Sequence, residues 1–394
     1  MKRFFLIFTG ILVGCVTGKP VPKPTKMVYV EGGVFEFGKD TPCPADVDCK
    51  NIVGSPASHH VVYPTMKVRV KSFYIDEHEV TNEQYEYCVE MGACSPQLYE
   101  TGETVPALKG EPYFQNPKYK DYPVVDVTYE EAQQYCRFVG KRLPTEFEWE
   151  YVARGGKNGK LEFPNKYAQT GKDFYNLAQN NSCLGIRVPP CDTARMPNKV
   201  MQNQYDVVEI GSGNVYDLTG NVSEWVDGIS IYPEGSKIRY VTCDCGDSDE
   251  NPCLPEECTY NGTWCFDTNN CNTSECLSEC FSNPQCPPDC RTVNKGEPCI
   301  FRMCGTSGSF SGFPVCKPYP PDQVIDPQEL KHRWENFKDY RSNGVVRGCS
   351  YAGCMGWPGA KMVCGLYSTN RIVLVSGKDT RDMGLGFRCA KDAP

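Results

Sequence analysis

Histidine is scarce, with only four in 394 residues. Neither the His59–His60 pair nor His78 has cysteines or carboxylates at zinc-site spacing, so solvent-exposed or simple structural roles are expected of them. No stripe of lysine and arginine runs through the chain, and its net charge is -8. Phosphate binding needs clustered positive charge, so nucleic acid is excluded as a partner. No repeat of fixed period occurs, which argues against solenoids and propellers. The glycine pairs lack the strand-turn-helix context of a P-loop or dinucleotide fingerprint, so nucleotide chemistry has no sequence support.

What is present begins at the first residue. MKRFFLIFTGILVGC combines two basic residues, an apolar run too short to cross a bilayer as a stable helix, and a small residue before a cysteine. That is the pattern of a signal peptide and not of a transmembrane anchor. Leu12 to Cys15 resembles the bacterial lipobox, in which the cysteine becomes an acylated N-terminus. Residues 1–15 are therefore read as a signal peptide, with Cys15 as the lipidation site. Ordinary cleavage, leaving Cys15 free or disulfide-bonded, is the rival reading. Residues 16–26 are polar with several prolines, as expected of a tether. The expectation is an extracytoplasmic chain, lipid-anchored to a bacterial membrane in the periplasm or at the cell surface.

Cysteine is abundant. Setting Cys15 aside from the 25 leaves 24, an even number that can pair completely, and such density belongs to an oxidising compartment. Twelve of them fall between Cys243 and Cys304, among Asp, Asn, Pro, Gly and Ser with few aliphatic residues. So little apolar area cannot offset chain entropy, and the stretch needs covalent staples. Residues 241–320 are read as a disulfide-rich insertion of open connectivity. Structural zinc is the weaker alternative, because no histidines accompany these irregularly spaced cysteines.

The flanking chain reads as mixed α/β. Met27 to Gly38 alternates apolar residues around Gly32-Gly33, suggesting two short strands and a turn, and Val68 to Asp76 reads as a further strand. Thr81 with Gln84, Thr128 with Glu131 and Thr145 with Glu148 each have capping-box spacing. They predict three helix starts, the first helix running to about Glu90 before Gly92. Glu146, Glu148 and Glu150 cannot all share one helix face. Glu146 and Glu148 are read as helix-start electrostatics, with Trp149 in the core.

Five segments carry a resemblance: FYIDEHEVTNEQY from Phe73, YPVVDVTYEEAQQYCRFVGKRLPTEFEWEYVARGG from Tyr122, NVYDLTGNVSEW from Asn214, VVRGCSY from Val345 and GLGFRCA from Gly384. In this order they resemble the signature blocks of the formylglycine-generating-enzyme (sulfatase-modifying factor) family, with the cysteine-rich insertion between the third and fourth. The resemblance implies an α+β fold, a large irregular variant of the C-type-lectin-like fold, over residues 27–394. It also implies a disulfide between Cys136 and Cys389. A local Cys88–Cys94 bond is expected because a helix end and the loop after it approach one another.

For metals, the resemblance implies calcium held by Asp217, Gly220, Val222 and Glu224, the glycine and valine through main-chain oxygens. A turn with alternating oxygens suits calcium physically. The rival is that the turn merely folds through its own Asx-type hydrogen bonds. A second calcium site would begin at Asn176 and Leu177.

Active members of the family oxidise a protein cysteine to formylglycine, using oxygen and a copper(I) ion held by two thiols. Cys349 stands at the second glycine of the RGGS-type block and Ser350 is retained. Cys354 and Cys364 follow, separated by MGWPGAKMV, so the pair implied as copper ligands is displaced. The family's tryptophan within the calcium block is here Ser223. Two hypotheses result. One is a copper- and oxygen-dependent oxidase with Cys354, Cys364 and Ser350 in the chemistry. The other, favoured here, is a non-catalytic calcium-stabilised surface module for a protein, peptide or glycan ligand.

Overall fold

A computed structural model describes residues 21–38, 65–96, 111–165, 196–211, 213–228, 323–328, 344–351 and 377–394, isolated residues between them, and the backbone of short strands elsewhere. Cys15, Asn176, Leu177, Cys354, Cys364 and nearly all of the insertion lie outside the described residues.

The three capping boxes start three helices: α1, Asn82–Glu90; α2, Tyr129–Phe138; and α3, Glu146–Ala153. In each, the threonine hydroxyl accepts the N–H three residues on, and the Gln or Glu at that position accepts the threonine N–H in return. Two otherwise orphaned donors are satisfied at each helix start. All eight residues of α3 are buried. Glu148 remains at the helix start and pairs with Arg142, whereas Glu146 and Glu150 turn inward to the buried Arg347, Glu150 at 3.0 Å. Both faces of α3 are thus covered, which helix-start electrostatics alone did not anticipate.

The strands Met27–Val30 and Gly33–Phe37 belong to different sheets. The first pairs antiparallel with Phe73–Asp76, and the second with Met66–Val70. The segment read from sequence as one strand, Val68 to Asp76, is therefore two, broken at Lys71-Ser72. The physical reason is a shared corner. Gly32 N donates to Ser72 Oγ at 3.0 Å, and a β-carbon on Gly32 would stand 2.5 Å from the Val70 carbonyl oxygen. Only glycine permits the two backbones to bend together there.

The final strand Ala390–Asp392 adds to Phe73–Asp76, making a three-stranded sheet, and Val324–Ile325 runs parallel beside Met66–Val70. A five-stranded sheet places Ser223–Val226 between Leu385–Gly386 and Gly344–Arg347, then continues through Arg371–Leu374 to Ser58–His60. Val207–Ile210 and Gly213–Tyr216 form a hairpin. The core between α1, α2 and these sheets gathers Tyr85, Tyr135, Trp225, Leu385 and Phe387. Trp225 donates its indole N–H to the Val127 carbonyl at 2.8 Å, which satisfies the one polar atom of a fully buried ring. Cys136 of α2 is disulfide-bonded to Cys389, and Cys88 of α1 to Cys94 in the loop after it. The architecture is α+β.

Candidate cation site

The turn from Asp217 to Glu224 sits where most of the described segments meet. It follows the Gly213–Tyr216 strand, and two of its residues, Asp217 and Asn221, hold positive φ of 60° and 64°. Asp and Asn tolerate this region better than other side chains, which is the local reason for the sequence DLTGN. Asp206 clamps the turn, its carboxylate accepting N–H bonds from Thr219 at 3.0 Å and Gly220 at 3.1 Å. The Asn198 N–H donates to Asn221 Oδ1, and the Met201 N–H donates to Asp217 Oδ2 at 2.6 Å. Later segments close over it: Tyr351 N donates to the Asn221 carbonyl, and Ser223 N to the Gly384 carbonyl. Ser223, standing where a tryptophan is expected, donates its hydroxyl to the Gly348 carbonyl.

Four carboxylates are buried around this turn: Glu79, Asp206, Asp217 and Glu224. Arg388 is the buried cation among them. Its Nε and Nη2 donate to both oxygens of Glu224 at 2.6–2.9 Å, and Trp149 Nε1 adds a bond to Glu224 Oε2 at 2.9 Å. Burial alone would lower the arginine's proton affinity, but Glu224 outweighs it and holds the guanidinium charged. The carboxylate expected from sequence to ligate calcium is therefore already occupied by a bidentate ion pair. That pair could not be read from the turn alone, because 164 residues separate its members.

Two carboxylates that sequence reasoning did not assign complete the site. Asp206 was one, and burial lifts its pKa to about 6 against the opposing N–H bonds of Thr219 and Gly220. Glu79 was the other. It lies in the FYIDEHEVTN block, 142 residues from Asn221, whose side-chain amide donates to Glu79 Oε1 at 3.1 Å. Glu79 Oε2 is buried and has no hydrogen-bond partner. Burial, then the neighbouring Asp217 charge, raises the Glu79 pKa well above the ordinary carboxylate range. Asp217 is pushed up to about 8, by burial first and then by Asp206. His78 beside them is buried, its Nδ1 2.6 Å from the Glu79 carbonyl, and burial lowers its pKa. It is a structural histidine. Among the described residues, no three His, Cys, Asp or Glu side chains converge tightly enough to hold a metal unaided. A cation here would need main-chain oxygens as well.

The catalytic site implied by the resemblance, with Cys354, Cys364 and Ser350, is described only at its edge. Ser350 is buried, and Gly384 packs so closely on it that a β-carbon would collide with the serine side chain. Cys349, immediately before it, is buried and disulfide-bonded. Nearby, Asp126 has a positive φ of 64° and an unpartnered Oδ2. Burial pushes its pKa to about 7 despite Arg381.

Among the described residues, short mixed sheets, three α-helices and a buried carboxylate turn tied down by Arg388 of the closing segment define an α+β domain held largely by loops. The sulfatase-modifying factor enzyme 1-like domain family matches residues 14–261, and the chain belongs to that family. The match stops short of the Val345–Tyr351 and Gly384–Ala390 segments that the fold brings onto the turn. The chain is 29% identical over 247 residues to formylglycine-generating enzyme of Bos taurus, covering 53% of this chain and 59% of that protein. It is 28% identical over 247 residues to inactive C-alpha-formylglycine-generating enzyme 2 of Mus musculus, covering 55% of this chain and 72% of that one. Among solved structures, PvdO from Pseudomonas aeruginosa aligns over 93% of this chain and 94% of its own, at 18% identity and a TM-score of 0.43.

Proposed function

We propose that the chain is a non-catalytic, extracytoplasmic lipoprotein module that uses the sulfatase-modifying-factor scaffold, in its loop-rich C-type-lectin-like form, to present a binding face. The observation that carries this reading is the disulfide at Cys349. Near the RGGS-type block Cys349 and Cys354 have the five-position separation of an active pair but start too early in the block, and a sulfur in a disulfide is not available as a copper(I) thiolate. Copper would have to be held by Cys354 and Cys364 across an insertion. A relative in mouse carries "inactive" in its name, which supports the same reading.

Calcium is proposed as the resident ion of the 217–224 turn. The buried, unpartnered oxygen of Glu79 and the buried excess of carboxylates over arginine fit a hard divalent cation, which takes about six to eight oxygens from carboxylates and carbonyls. Asp217 would supply a carboxylate, and Gly220 and Val222 main-chain oxygens. The ion would hold the turn, and with it the loops above it, in one arrangement. A lipid on Cys15 would keep the domain at a membrane surface, facing a protein, peptide or glycan ligand.

The test is alkylation of the native protein before and after reduction, followed by mass spectrometry of the peptides spanning Cys349 to Arg371. Complete protection of Cys354 and Cys364 without reductant supports the binding module. Two thiols that alkylate without reductant, and are shielded by added copper(I), would return the chain to the alternative: oxygen-dependent conversion of a protein cysteine to formylglycine.

A further inference from the structure

We propose that the outward face of the three-stranded sheet, carrying Tyr29, Tyr74 and Lys391, lies on the surface of an anionic phospholipid bilayer and so fixes how the anchored domain is oriented. The inference rests on the lipid-anchor reading above and deepens it from attachment to a defined contact face.

The face follows from register. Residues directly opposite one another in an antiparallel pair point to the same side of a sheet. Tyr29 stands opposite Tyr74, and Tyr74 opposite Lys391, so the three form one row across the strands. The adjacent row, Val28, Ile75 and Ala390, is buried at 3%, 0% and 0% exposure, and alternation turns the first row outward. Tyr29 is 48% exposed, Lys391 is exposed and Tyr74 half-buried, with the two tyrosine rings 5.4 Å apart between centroids. Tyrosine has an apolar body and a polar tip, which suits the headgroup level of a bilayer, where one end is dry and the other wet.

Two observations point to a bilayer as what covers it. The first is reach. Val21 follows Cys15 by six positions, about 20 Å at full extension, and is itself 68% exposed. Beyond it the chain is held to the domain: Gln84 Nε2 donates to the Lys23 carbonyl at 3.1 Å and to Thr25 Oγ1 at 2.9 Å, and Met27 opens the strand that bears Tyr29. A lipid on Cys15 therefore draws this end of the domain to the bilayer. The second is charge. A chain of net charge -8 is repelled as a whole by an anionic surface, so a contact face must reverse that sign locally. Beside the sheet, Glu31, Glu77 and Asp392 are paired with Lys157, Lys26 and Arg142. Lys23 and Lys391 are exposed, and no salt bridge reaches either among the described residues. Such lysines are attracted to an anionic leaflet, their stems lying along apolar surface while the ammonium groups stay among the headgroups.

The experiment uses the full chain made in a bacterium with its own N-terminal segment. Mass spectrometry reads the mature N-terminus, and the purified protein is bound to vesicles of phosphatidylethanolamine with phosphatidylglycerol. Hydroxyl-radical footprinting then compares each tyrosine on the vesicles with the same tyrosine in Cys15→Ala, which cannot be acylated, free in solution. Tyr29 and Tyr74 should be protected from oxidation on the vesicles, whereas Tyr167, 46% exposed outside this sheet, should not change. Combining Lys23→Glu with Lys391→Glu, both at exposed positions, should shift the ratio of docked to undocked protein by at least the ~5-fold that one lysine near an anionic surface contributes. Protection that persists undiminished in that double variant overturns the assignment to an anionic surface. If Cys15 carries lipid and Tyr29 stays as reactive as Tyr167, the contact face is overturned and the anchor stands. Protection instead of Tyr87, whose ring lies 6.2 Å from that of the exposed Phe138, would put another face on the lipid and overturn it equally. A mature chain with no lipid on Cys15 overturns both.

Discussion

Arg388 joins the closing segment to the turn through a single side chain. Besides Glu224 it donates to the Tyr216 carbonyl at 2.8 Å and the Asp76 carbonyl at 3.3 Å, all of it out of contact with water. Arg388→Gln would leave Glu224 buried without its counter-charge, and breaking such a pair costs about 3–5 kcal/mol. Urea unfolding of the two proteins should show a loss of that order, and Arg388→Lys, which keeps charge but not the fork, should fall between them. Asp126 makes a different prediction. Its folded pKa of about 7 exceeds the ordinary 3.8 because burial penalises the charged form. The stability it contributes is therefore complete below the unfolded value and is lost as pH rises through about 7. The parent's Tm should decline between pH 4 and pH 8, and Asp126→Asn, which suits the positive φ, should flatten that decline. An unchanged slope would place that titration elsewhere. The roles of Arg388 and Glu79 were not visible in sequence. Arg388 reads only as the R of GLGFRCA, and Glu79 as the E of HEVTN, since their partners lie more than a hundred positions away.

The helix starts were legible because a capping box is local chemistry: hydroxyl, carboxyl and backbone N–H lie within four residues of one another. Thr81, Thr128 and Thr145 all cap as their spacing predicted. Strand limits were less so. Val68 and Val70 fall out of step with Phe73 and Ile75, a slip at Lys71-Ser72 that reading one continuous strand passed over, and its cause, Gly32 in the turn between Met27–Val30 and Gly33–Phe37, is remote in sequence. The inward turn of Glu150 was hidden for the same reason, its partners Arg347 and the Gly38 N–H being remote. Gly32→Ala tests the corner. With the added carbon driven into the Val70 carbonyl, the ribbon must open, at a cost of about 1–3 kcal/mol measurable in chemical denaturation. A neutral substitution would show that the corner relaxes freely.

At the scale of the whole molecule, a long-range clamp lies where α2, the Phe73–Asp76 strand and the closing segment meet. Cys136–Cys389 spans 253 residues there, and Asp76 receives both the Cys389 N–H and the Lys141 ammonium. Replacing both cysteines with serine should lower stability by about 2–5 kcal/mol, read as a drop in Tm under oxidising conditions. An equal Tm would mean that the packing around Tyr135 and Phe387 suffices alone.

The placement of residues 384–392 bears on how the chain is made. They supply the edge of one sheet, the edge of another, half of a long-range cross-link and the arginine that neutralises Glu224. Everything they complete is synthesised earlier. A nascent chain accordingly carries Cys136 without its disulfide partner and Glu224 without its guanidinium until residues 384–392 have been made.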